Sequence, residues 1–80
     1  MTKLEYGKCE KLMGKALYKA KQSSEEFENS QSFFNAGNDV NGEVEQRKAD
    51  QHYGEAVGIN QVFVTLGFKH DRMKELSELL

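Results

Sequence analysis

Asn35-Ala36-Gly37-Asn38-Asp39-Val40-Asn41-Gly42 gathers residues that tolerate left-handed backbone or compete with helical hydrogen bonds. It is the place where the chain turns. Upstream, Cys9, Met13, Ala16, Ala20, Ser23, Phe27, Ser30 and Phe34 follow Tyr6 in steps of three and four, the spacing that keeps one seam of a long helix turned toward a partner. Downstream, Ala49, His52, Ala56, Ile59, Phe63 and Leu66 repeat the pattern. Two seams joined by one turn predict two helices lying antiparallel.

The ends of these helices are also marked. Thr2 and Glu5 have the spacing of a capping box, and Asp39 or Asn41 can cap the second helix. Leu66-Gly67-Phe68 reads as a Schellman stop, with glycine in the left-handed position and Phe68 as its hydrophobic contact. After an Asp71 cap, Met73, Leu76, Leu79 and Leu80 share one side of a short amphipathic helix. The β-branched and aromatic run Ile59 to Leu66 competes as a strand, yet no second such run exists to pair with it. Proline is absent, so nothing interrupts long helices.

The expected fold is therefore all-α, a single helical domain over residues 1–80. A helix over about 2–34, a turn over 35–42 and a helix over about 43–66 form a long antiparallel helical hairpin, and a short third helix follows over about 71–79. A two-helix rod of 80 residues buries little core. It is expected to dimerise into a helical bundle, coiled-coil fashion.

Composition excludes several function classes. The 11 basic and 13 acidic residues leave a net charge of −2, so bulk electrostatics favour neither a nucleic-acid binder nor a polyanion mimic. One cysteine, Cys9, allows no intramolecular disulfide and no zinc site built on two thiolates of one chain. The first residues carry charge and no apolar run, so neither a signal peptide nor a membrane partner is expected, and the cytoplasm is the expected location. His52 and His70 have no partner at metal-ligand spacing, and a Cys9–His52 nucleophile would lack an oxyanion donor and a third group. No phosphate loop, dinucleotide fingerprint or nucleophile elbow occurs. No enzyme activity, cofactor or metal is expected.

Two surface features remain as candidate sites. Gly7, Gly14, Gly54 and Gly58 sit inside helices, where each costs up to ~1 kcal/mol relative to alanine. They lie opposite their own seams, where a small residue lets another backbone approach, and with Phe33 they form the candidate interaction surface. Lys8, Lys11, Lys15 and Lys19 fall within about 80° of one another on a helical projection and are the candidate anion-contacting stripe. Charge is also segregated: residues 1–24 carry net +4 and residues 25–55 net −6. The expected function is a small non-enzymatic protein-protein interaction module, a regulator, adaptor or inhibitor of a larger, unknown protein target, which suits a bacterial or phage accessory protein. It is expected to work as a homodimer. The alternative is a nucleic-acid-associated helical protein using the lysine stripe.

Overall fold

The computed structural model describes residues 1–80 and contains three helices, α1 (Lys3–Asn35), α2 (Asp39–Leu66) and α3 (Met73–Leu79). They take in 68 of the 80 residues, and no strand is present. The run from Ile59 to Leu66 is helical. α1 and α2 pack along their length as an antiparallel hairpin, and α3 folds back on α1. The molecule measures 51 × 17 × 16 Å, with a radius of gyration of 15.0 Å against about 11.6 Å for a compact chain of this length.

Each helix end is chemically specified. The Thr2 hydroxyl accepts the Glu5 amide at 3.1 Å and donates to the Glu5 carboxylate, also at 3.1 Å. At the far end of α2, Gly67 adopts φ 66°, the Gly67 amide reaches the Val64 carbonyl at 3.2 Å and the Phe68 amide the Phe63 carbonyl at 2.9 Å. These two bonds are the Schellman pair, sealed by the Phe63 and Phe68 rings at 4.9 Å.

Three local expectations are corrected. The turn is shorter than 35–42, because α1 ends in its own Schellman pair, with Gly37 at φ 78° and the Asn38 amide on the Phe33 carbonyl at 2.8 Å. α2 consequently starts at Asp39, and its cap is Asn38, whose side chain accepts the Asn41 amide, in place of Asp39 or Asn41. α3 starts at Met73, not 71, and Asp71 does not cap it. The ring Nδ1 of His70 accepts the Arg72 amide at 3.1 Å and its carbonyl accepts the Met73 amide, so the turn is tied down by His70.

The core lies toward the chain termini. Cys9, Met13, Ala16, Leu17 and Ala20 from α1 meet Ala56 and Phe63 from α2, Phe68 from the connection and Leu76 from α3. Small residues at the crossing, Ala16, Ala20 and Ala56, let the two long helices approach closely. Toward the turn the seam is poorer in carbon: Ser23 donates to the Ala49 carbonyl at 2.8 Å, Ser30 to the Phe27 carbonyl at 2.9 Å, and Phe34 lies against Gly42.

Phe27 departs from its expected seam position and is 53% exposed, whereas Cys9, eighteen residues and about five turns earlier at the same azimuth, is 4% exposed. The difference is the connection between α2 and α3. It lays Phe68 in the core beside Tyr6 and His70 against Glu10, at the level of Cys9, whereas α3 lies farther along and its Leu79 only borders a shallow cavity with Phe27 and Tyr53. Glu26 takes the buried place instead, and Leu66 and Tyr6, also expected in the seam, are 50% and 40% exposed.

Candidate functional site

A groove of about 570 Å³ runs between α1 and α2, floored by Leu12, Ile59 and Val62. Its walls carry Lys15, Lys19, Glu55 and Gly58. On a projection at about 100° per residue, Leu12, Lys15 and Lys19 centre half a turn around α1 from Tyr6, Glu10 and Lys21, the α1 residues that meet Phe68, His70 and Glu75. The groove therefore opens on the face of the hairpin away from α3. Leu12 and Ile59 pack on the core from below, so its floor is fixed by the same contacts that hold the hairpin.

Electrostatics shape one wall. Lys19 crosses to the Glu55 carboxylate as an ion pair, with Gln51 donating to Glu55 at 3.3 Å. The Lys19 hydrogen bond, ahead of the Gln51 one, holds the Glu55 carboxyl below its ordinary range. Lys8, Lys11 and Lys15 remain exposed along the same side of α1. The stripe read from the sequence is thus split: Lys19 is engaged within the chain, Lys15 edges the groove, and Lys8 and Lys11 continue beyond it.

The candidate glycines are separated in the same way. A Cβ built at Gly7, Gly14, Gly54 or Gly58 meets nothing within 4 Å, so none of the four is required by packing inside this chain. Only Gly58 belongs to the groove. Phe33 is half-buried beside the turn, like its neighbour Phe34. Sequence reasoning passed over the floor residues Leu12 and Val62, whose signal is their spacing: both fall just off the seam, Leu12 beside Met13 and Val62 beside Phe63.

A second polar feature lies deeper. His52 donates from Nδ1 to Oε1 of Glu26, a residue only 7% exposed, whose Oε2 is buried with no hydrogen-bond partner. His52 is thereby committed to Glu26, while Cys9 is buried in the core at the other end of the rod. No group of three or more His, Cys, Asp or Glu side chains is placed to hold a metal ion, and no helix is long and apolar enough to cross a membrane. Set against protein-family models, curated proteins and solved structures, the chain matches none.

Proposed function

We propose that this chain is a non-enzymatic protein-interaction module, a small regulator, adaptor or inhibitor that acts as a homodimer and docks on a larger protein through a helical face. The observation that carries the reading is the groove opposite α3: an apolar floor of Leu12, Ile59 and Val62, open over its length and widened by the missing side chain at Gly58. Such a furrow between two helices suits the apolar edge of a third. Residence in the cytoplasm and an accessory role belong to the same reading, supported by the lone thiol at Cys9 and the small size.

Gly58→Trp fills the groove without touching the core, because a side chain there starts in open space. Affinity purification from the native host is expected to recover a stoichiometric partner with the wild-type chain and to lose it with Gly58→Trp. The same proteins recovered in the same amounts with both would refute the groove as the docking site.

A second reading, nucleic-acid association, is favoured by the exposure of Lys8, Lys11 and Lys15 along one side of α1. It loses one of its four contacts to the Lys19–Glu55 pair. A gel shift at low salt that fades steeply as salt rises would support it, and no shift at low salt would eliminate it.

A further inference from the structure

The side of α2 that walls the groove carries a strip whose spacing reads the same from either end. Val40, Val44, Val62 and Leu66 are 74%, 44%, 45% and 50% exposed, and all four fall within about 80° of one another on a helical projection. Position 53 is the midpoint of both Val40–Leu66 and Val44–Val62. Between them, on the same azimuths, Lys48 and Gly58 are centred on that point, as are Gln51 and Glu55. Steps of four, four, three, four, three, four and four residues join the eight positions, a palindrome in spacing with apolar residues at both ends.

A closed two-fold interface demands this self-complementarity, since each residue i that meets a partner's j must find j meeting the partner's i. We propose that a second copy of this chain packs its α2 antiparallel along this strip, which rests on the homodimeric reading above and assigns its face and direction. Val44 then meets the partner's Val62 twice over, Val40 meets the partner's Leu66, and Lys48 passes over the partner's Gly58, where no side chain obstructs it.

Charge favours the same direction. Residues 1–24 carry net +4 and residues 25–55 net −6, so an antiparallel partner lays its acidic half beside the lysine-bearing half, whereas a parallel one stacks like on like. The molecule also exposes 5554 Å², where a compact monomer of its mass exposes about 4,900 Å². A strip about 39 Å long and about 10 Å wide removes on the order of 800 Å² in total, the low end of interface sizes, as in a weak, reversible dimer.

Sedimentation equilibrium across roughly 5–500 μM tests this directly. The wild-type chain is expected to shift from monomer to dimer. Val44→Lys and Val62→Glu, each placing a charge against a valine and beside charge of its own sign, are expected to weaken the dimer at least about tenfold. The double variant Val44→Lys/Val62→Glu is expected to recover it, because in the antiparallel register each new lysine faces a new glutamate. All positions are exposed, and unchanged helical circular dichroism confirms that folding is intact. A double variant weaker than either single one overturns the antiparallel direction. A dimer indifferent to both single substitutions overturns this face and leaves dimerisation standing. A monomer at every concentration overturns self-pairing altogether, and because the strip shares Glu55, Gly58 and Val62 with the groove, the docking of a different protein is read separately in Lys15→Glu, on the α1 wall of the groove and outside the strip.

Discussion

Glu26 and His52, 26 residues apart in the chain, meet side chain to side chain across the hairpin and leave one buried carboxylate oxygen without a hydrogen-bond partner. The pair sits where the seam is otherwise serine and alanine, among Ser23, Ser30 and Ala49. A buried carboxylate is tolerated only while it is paired, so the pair fixes which level of α1 faces which level of α2.

Removing one partner should therefore cost more than removing both. His52→Leu is expected to destabilise the fold by about 1–3 kcal/mol, leaving Glu26 uncompensated. Glu26→Leu/His52→Leu is expected to regain most of that. Urea denaturation of the four corners of the cycle decides it: a double variant as unstable as His52→Leu alone would mean that the pair contributes nothing specific.

Two glycines give opposite outcomes on the same substitution. Gly14 lies in open helix, so Gly14→Ala is expected to stabilise by about 0.5–1 kcal/mol. A Cβ at Gly42 would stand 2.7 Å from the Phe34 ring, and Gly42→Ala is expected to destabilise by about 1–2 kcal/mol as the ring is displaced. Thermal melts of the two variants should move in opposite directions. Equal shifts would show that Phe34 yields freely.

Acid should loosen the hairpin through Glu55. The carboxyl is held below its ordinary value by the Lys19 hydrogen bond, so its contribution is fully present above the unfolded value near 4.5 and is lost as pH falls through the lower folded value. Glu75, held down by Arg72 and then by Lys21, behaves in the same sense. Glu55→Gln is expected to flatten the acid limb of the stability curve and to lose its difference from wild type in high salt. Superimposable acid limbs at low salt would discard the Lys19–Glu55 pair as a contributor.

Leu76 is fully buried and anchors α3 on the core. Leu76→Ala is expected to cost about 2–4 kcal/mol. Hydrogen exchange should show α3 losing protection first, with Tyr53 released from the Leu80 carbonyl it holds at 3.0 Å. Retained protection of α3 in the variant would show that the Tyr53 bond and the Lys21–Glu75 pair hold it unaided.

Much of this architecture was legible in the residues. The three-and-four spacing of Cys9, Met13, Ala16 and Ala20 placed the first seam, and Leu66-Gly67-Phe68 announced the stop of α2, because both signals are local. Azimuth alone did not reveal cover: Phe27 and Cys9 share one direction, and only the Phe68–His70 connection, lying at the level of Cys9, separates a buried thiol from an exposed ring. Glu26 was hidden for the same reason, since a carboxylate enters a seam only when a partner such as His52 waits across it. The groove was half visible, in Lys15, Lys19 and Gly58, but its floor depends on how closely the alanine crossings draw the two helices together. The Asp71 cap failed because His70 supplies the acceptor first.

The nine-residue apolar cluster draws on positions 9 to 20 of α1 and 56 to 76 of the rest, and none of it lies near the turn. Cohesion is thus distributed unevenly, with one end of the rod welded by rings and leucine and the other fastened by the Ser23 hydroxyl, the Glu26–His52 pair and a phenylalanine resting on glycine. Mechanical or thermal stress will unzip the molecule from the bend downward, and a partner that grips the bend tightens the part of the protein with least strength of its own.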